Sequence, residues 1–81
     1  MSDGFKEATD MYRALNDHFK PLGVKCDFGP DNKGGWWAST QPRGTSLNWT
    51  SNVGVLIEHD GHIHAVLTPE QAIEWVKENL Q

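Results

Sequence analysis

The chain has 81 residues, the size of one small domain with a thin core, because a chain this short buries only about 60% of the surface that it exposes when unfolded. Its net charge of −4 argues against binding of duplex nucleic acid through a basic face, and its 37% hydrophobic content with four tryptophans argues against a disordered chain. A single cysteine excludes an intramolecular disulfide, and no segment has the length and hydrophobicity of a membrane span.

The N-terminal region predicts a helix rather than an export signal. Residues 1–10 lack the basic start and the apolar run of a signal peptide, so we expect a cytoplasmic protein. Apolar side chains then recur at alternating spacings of three and four residues, which predicts an amphipathic helix over residues 3–19. This apolar stripe consists of Phe5, Ala8, Tyr12, Leu15 and Phe19. Pro21 and Gly23 end the helix.

Three segments in the middle of the chain have strand character. Residues 24–28 alternate apolar and polar side chains, as a half-buried strand does. A loop rich in glycine follows, and residues 36–41 form a second predicted strand. Residues 46–51 form an optional third strand, because their pattern is dominated by short polar side chains.

The most strongly patterned segment predicts a β-hairpin over residues 53–67. Two apolar runs flank Asp60-Gly61, a dipeptide that favours a two-residue turn with positive φ angles. Because side chains alternate between the faces of a sheet, this turn fixes which residues share a face. One face carries Val55, Ile57, His59, His62, His64 and Val66, and the other carries Leu56, Glu58, Ile63, Ala65 and Leu67. The second face is more uniformly apolar, so we expect the helices to cover it.

A second helix is predicted after the hairpin. Thr68 is a suitable N-cap, Pro69 suits the first helical position, and Gln71 lies three residues after the cap. We expect this helix to extend to about residue 80. The whole chain, residues 1–81, is thus predicted to be one α+β domain, a two-layer sandwich in which both helices pack on one face of an antiparallel sheet of three to four strands. The predicted order is α-β-β-(β)-β-β-α, with residues 46–51 as the optional strand.

The first candidate site is a segment without acidic residues. No Asp or Glu occurs between Asp31 and Glu58, although the chain has eleven. Adjacent residues on a strand point to opposite faces, so one of Trp36 and Trp37 should enter the core and the other should lie on the open side of the sheet. Tryptophan and arginine among short polar residues are typical of protein-binding surfaces, although tryptophans also fill the cores of small domains. The candidate partner-binding residues are Trp36, Trp37, Trp49, Lys33 and Arg43.

The second candidate site is the histidine cluster of the hairpin. His59, His62 and His64 share one predicted face, and three imidazoles on one face are a possible zinc site. The alternatives are that these histidines are ordinary surface residues or that they form a pH-sensitive surface. Cys26 does not suggest a nucleophile, because it lies in the strand pattern of a small core residue.

These observations predict a non-catalytic protein-binding module, for example an inhibitor or an adaptor, with another protein as its partner. Self-association through the same face is a variant of this hypothesis. A small acidic protein of this size is often an inhibitor encoded by a mobile element. The second hypothesis is a small-ligand or metal-binding domain that uses the three histidines. The third is a single-stranded nucleic-acid binder, which the small number of cations near the tryptophans disfavours. We expect no enzyme activity, because the chain contains no recognisable catalytic constellation.

Overall fold

The structure is a computed structural model that describes residues 4–32, 34–41, 44–50 and 53–80. Within these ranges the chain forms two α-helices and one five-stranded antiparallel sheet, which is an α+β fold. The elements are α1 Phe5–Phe19, a short 3-10 turn Lys20–Leu22, β1 Lys25–Pro30, β2 Trp36–Gln41, β3 Thr45–Thr50, β4 Gly54–His59, β5 His62–Val66 and α2 Pro69–Asn79. The spatial order of the strands is the order of the chain, β1-β2-β3-β4-β5.

The sheet has five strands rather than the three to four that were predicted. The optional segment is the central strand, β3, which pairs with β2 on one side and with β4 on the other. Its local pattern is weak because it carries Thr45, Ser46 and Asn48, and its place in the sheet is fixed by pairing with distant segments. The predicted first residue of α1, Asp3, and the predicted last residue of this strand, Ser51, lie outside the described residues.

The hairpin is confirmed in its turn and its register. Asp60 has φ 51° and Gly61 has φ 82°, the two positive angles of a type I′ turn. His59 is opposite His62 and Leu56 is opposite Ala65, as the turn predicts. The strongest local signal of the sequence therefore determines the geometry of β4 and β5.

The start of α2 is also confirmed. The side chain of Thr68 accepts a hydrogen bond from the backbone N–H of Gln71 at 3.2 Å, and Gln71 Oε1 accepts one from the N–H of Leu67 at 2.8 Å. This reciprocal pair joins the end of the hairpin to the helix and satisfies two backbone donors. In the described part of the chain, neither helix has the length and hydrophobicity to cross a lipid bilayer.

Both helices pack on the face of the sheet opposite to the predicted one. Ala38, Leu47 and Ile57 are completely buried on this helix face, whereas Leu56 is 50% exposed and Ile63 is 70% exposed. The prediction was wrong because it considered the hairpin alone, and the central strands decide which face is covered. On the helix face β2 and β3 carry Ala38 and Leu47 between tryptophans and threonines, and on the other face they carry mostly hydroxyl and amide groups. The helices complete this core with Met11, Ala14, Leu15, Ala72, Val76 and Leu80.

Candidate functional site

The face of the sheet turned away from the helices carries the candidate site and is called the open face below. Within the described residues, both helices contribute their buried side chains to the core on the other face. The open face is defined by Lys25, Asp27 and Gly29 of β1, Trp37, Ser39 and Gln41 of β2, Ser46, Asn48 and Thr50 of β3, Gly54, Leu56 and Glu58 of β4, and Ile63 and Ala65 of β5. Directly opposed residues share a face, so the strand register fixes this set.

One row of the register crosses the open face from β1 to β5. Trp37 is opposite Gly29 on one side and Asn48 on the other. Asn48 is in turn opposite Leu56, and Leu56 is opposite Ala65. With neighbouring strands about 4.8 Å apart, Trp37 and Leu56 are separated by about 10 Å across the sheet. The row thus has an aromatic side chain at one end, aliphatic side chains at the other, and an amide between them.

The indole of Trp37 is held against β1 by the absence of a side chain at Gly29. A Cβ atom built at Gly29 would lie 3.2 Å from Cζ2 of Trp37, tighter than an ordinary van der Waals contact. The indole therefore rests over the backbone of β1 and remains half-buried. A side chain supported in this way is a preorganised contact for a partner, because little of its freedom remains to be lost on binding.

The aliphatic end of the row belongs to a cluster of exposed apolar side chains. Leu56 and Ile63 are 50% and 70% exposed on the open face. Val53, just before β4, and Leu67, just after β5, are 71% and 77% exposed at the same end of the hairpin. Single exposed apolar residues are common, but a cluster of them is typical of an interaction site.

The middle of the open face is polar and contains two buried hydroxyl groups. Ser39 and Ser46 are opposite each other and are each 1% exposed. Gln41 Nε2 donates a hydrogen bond to Ser39 Oγ at 3.3 Å, whereas Ser46 Oγ has no hydrogen-bond partner among the described residues. A buried hydroxyl without a partner loses its hydration without compensation, so we expect Ser46 to lower the stability of the fold.

The structure separates the three tryptophans that the sequence grouped together. Trp36 and Trp37 point to opposite faces, as predicted, and Trp37 is the one on the open face. Trp36 and Trp49 are opposite each other on the helix face, where the ring of Trp36 makes an edge-to-face contact with Phe5 at 5.7 Å between centroids. The backbone of Gly4, at the start of α1, lies directly against both indoles. Lys33 and Arg43 lie outside the described residues.

The three histidines share the helix face, as the register predicts, and two of them contact Trp75 of α2. The ring of His59 lies edge-on to Trp75 at 6.2 Å between centroids, and the ring of His64 stacks on it at 5.7 Å. His59 Nδ1 also lies 2.7 Å from the hydroxyl Oγ1 of Thr45. Within the described residues, which include all three histidines, no group of three or more His, Cys, Asp or Glu side chains is placed to hold a metal ion. The arrangement therefore gives the zinc hypothesis no support.

Thr45, His59 and Asp60 are arranged like the nucleophile, base and acid of a catalytic triad, but a substrate has no access to the Thr45 hydroxyl. His59 Nε2 lies 3.4 Å from Oδ2 of Asp60, and its other nitrogen contacts Thr45 Oγ1. Thr45 is only 3% exposed, so its hydroxyl is not open to a substrate. The contacts orient the His59 ring.

Cys26 is a buried core residue, as predicted. Its side chain is part of the core of the helix face and is 6% exposed. Burial raises the pKa of the thiol above its ordinary value, which disfavours the thiolate. This environment is opposite to that of a reactive cysteine.

Sequence reasoning missed Leu56 and Ile63, because it placed them under the helices. The available signal was the polar side of β2 and β3, since Ser39, Ser46 and Asn48 alternate with the apolar residues that the helices cover. Comparison of the chain with protein-family models, with curated proteins and with solved structures found no match. The function of the open face is therefore inferred from its own geometry and chemistry.

Proposed function

We propose that this protein is a non-catalytic binding module that recognises another protein through its open face. The observation that carries the proposal is the exposure of Leu56 and Ile63 on a sheet face whose opposite side holds both helices. Removal of such apolar surface from water by a partner contributes roughly 25 cal/mol per Å². This surface stays hydrated in the isolated chain, so its burial stabilises a complex with a partner and not the fold of the chain itself.

The anchors of the proposed interface are Trp37, Leu56 and Ile63. Trp37 and Leu56 lie in one cross-strand row, and Ile63 lies diagonally beside Leu56 on β5. A few residues near the centre of a contact surface, with tryptophan strongly enriched among them, supply most of the binding energy of a typical protein interface. Of the three tryptophans first considered, only Trp37 is among the anchors. Trp36 and Trp49 pack against the start of α1 on the helix face.

The charges of the open face have the distribution of an interface. Its charged members are Lys25 and Asp27 on β1 and Glu58 on β4, which is directly opposite Ile63, whereas the open-face residues of β2 and β3 carry no charge. An uncharged centre with charged residues around it is the usual anatomy of a protein–protein contact. The net charge of −4 favours a partner with an apolar centre and a basic rim, because opposite charges accelerate encounter.

The role proposed for such a module is that of an inhibitor or an adaptor in the cytoplasm, of the kind that mobile elements encode. The chain has only 81 residues, and one face of its sheet is left for contact with a partner. This arrangement suits a protein that acts by covering a surface of its target. Single-stranded nucleic-acid binding is the disfavoured alternative, because two of the three tryptophans proposed to stack on bases, Trp36 and Trp49, pack near the start of α1. Base stacking needs accessible aromatic faces.

The proposal is tested by affinity capture from the source cells with matched surface variants. Leu56→Ser removes an apolar anchor from the open face. Leu22→Ser makes the same chemical change at a residue that is 65% exposed in the 3-10 turn between α1 and β1, outside the strands. We expect the native protein and Leu22→Ser to retain the same partner and Leu56→Ser to lose it by a factor of ten or more. Equal retention by both variants would refute the proposal.

A further inference from the structure

β5 is an edge strand with backbone groups available for further pairing. It pairs with β4, and its first four residues are all exposed. In a two-residue hairpin the residues that flank the turn, here His59 and His62, form a hydrogen-bonded pair, and such pairs alternate along the strands. The N–H and C=O groups of Ile63 and Ala65 consequently point away from β4. The next outward N–H, that of Leu67, is already bonded to Gln71 Oε1 at 2.8 Å.

The opposite edge of the sheet, β1, is protected against such pairing. The carboxylate Oδ1 of Asp27 accepts the backbone N–H of Phe28 at 2.8 Å, and the strand ends at Pro30, which has no N–H to donate. Lys25 and Asp27 also place charges along this edge. Charges and proline are the devices by which natural sheets prevent association at their edges. Between Asp60 and Pro69, which span β5, the sequence contains neither Lys, Arg, Asp, Glu nor Pro.

We propose that β5 pairs antiparallel with β5 of a second copy of this chain, about a twofold axis that is perpendicular to the sheet and passes midway between the two copies of His64. This register places Ile63 of each copy opposite Ala65 of the other, so that all the outward N–H and C=O groups of these residues find partners. A large side chain then faces a small one on the open face, which avoids a clash between two isoleucines. The two five-stranded sheets become one continuous sheet with both helical layers on the same side.

The charge distribution leaves β5 as the part of the surface at which two copies can approach each other. Each copy carries a net charge of −4, so two copies repel each other over most approaches. The strand β5 contains no Asp, Glu, Lys or Arg, so two like-charged molecules can meet there. A basic partner strand would instead be attracted by acidic residues along the edge, which β5 does not have.

The pairing also extends the apolar row of the open face. Leu56 is opposite Ala65 within one copy, and Ile63 of the second copy would lie next to Ala65 on its other side. The apolar side chains of the two copies thereby become contiguous. The pairing of one short strand buries less than the roughly 1,200 Å² of a standard stable interface, so the association should be reversible.

The first test measures self-association of the full chain by sedimentation equilibrium between about 10 µM and 1 mM, the range in which a small interface assembles. We expect the average mass of the native protein to rise from one copy towards two. Ala65→Pro removes an outward N–H without removing a bond to β4, and should abolish this rise. Leu56→Ser, on the open face one strand inside the edge, should leave it intact. No rise for the native protein, or a loss in Leu56→Ser but not in Ala65→Pro, would overturn the proposal.

The second test locates the twofold axis with single cysteines in a Cys26→Ala background. The axis places the two copies of residue 64 directly opposite each other, with Cβ atoms about 5 Å apart, close to the spacing of a disulfide. The two copies of residue 62 would be about 14 Å apart. We expect His64→Cys to form a disulfide-linked dimer under mild oxidation at least ten times faster than His62→Cys. Equal rates would overturn the proposed register. Loss of a cellular partner in Leu56→Ser with unchanged self-association separates this inference from the proposed function.

Discussion

The two faces of the sheet carry similar aliphatic side chains along β4 but have different surroundings. Ile57, on the helix face, is completely buried, while its neighbour Leu56 is 50% exposed on the open face. The central strands account for the difference, since Leu47 faces the helices and the adjacent Ser46 faces away from them. The helices pack where all the strands offer apolar contacts, and the apolar residues of the hairpin that lie on the other side remain for binding.

The largest effect on stability is expected when side chains of β4 are truncated to alanine on the two faces of the sheet. Ile57→Ala should lower the free energy of unfolding by about 2–5 kcal/mol, because it leaves a cavity under the helices. Leu56→Ala should lower it by less than about 1 kcal/mol, since its side chain is half in water already. Urea denaturation of both variants measures the difference. Equal losses would contradict the assignment of the helices to one face.

Two adjacent hydroxyl groups of β3 provide a second contrast, with opposite signs. Thr45→Val removes a buried hydroxyl that contacts His59 Nδ1 at 2.7 Å and should lower the free energy of unfolding by about 1–3 kcal/mol. Ser46→Ala removes a buried hydroxyl without a partner among the described residues and should leave the stability unchanged or raise it slightly. The thermal midpoints of the two variants report both signs. A clear destabilisation by Ser46→Ala would show that its hydroxyl has a partner.

A third contrast compares the reactivity of a cysteine thiol on each face of the sheet. Cys26 should react with a thiol reagent at least ten times more slowly than a cysteine introduced by Leu56→Cys in a Cys26→Ala background, because only the second is exposed. Burial raises the pKa of Cys26 in the folded chain from the ordinary 9.0, so unfolding favours the thiolate. The contribution of this thiol to stability should therefore be fully present below pH 9.0 and decline at higher pH. Comparison with Cys26→Ala isolates that decline.

A small stability change is also expected at the rim of the open face. Gly29→Ala would place a Cβ atom 3.2 Å from Trp37 Cζ2, so the indole must shift while the core stays intact. We expect a loss of less than about 1 kcal/mol but a measurable change in tryptophan fluorescence and weaker partner binding. Gly44→Ala, where a Cβ atom would lie 3.8 Å from its nearest neighbour, is the matched control. Equal partner affinity of the two variants would remove Trp37 from the interface.

The features predicted correctly from the sequence are those that depend on nearby residues. Asp60-Gly61 fixes the hairpin register, and Thr68 with Gln71 fixes the start of α2, because their partners lie within a few positions. The alternation of Trp36 and Trp37 is equally local. The strand count and the covered face depend on the pairing of β3 with both neighbours, which connects segments separated by loops. The face on which Trp49 lies also follows from that pairing, so it cannot be predicted from local periodicity.

The most direct test of the proposed function is photo-crosslinking inside the source cells. A photoreactive amino acid at Leu56 probes the open face, and the same residue at Leu22 probes an exposed apolar site in the 3-10 turn, outside the strands. If the open face is the binding surface, the Leu56 probe yields one specific protein adduct that the Leu22 probe does not. Specific adducts from Leu22 alone, or the same adducts from both positions, would contradict the assignment of binding to the open face.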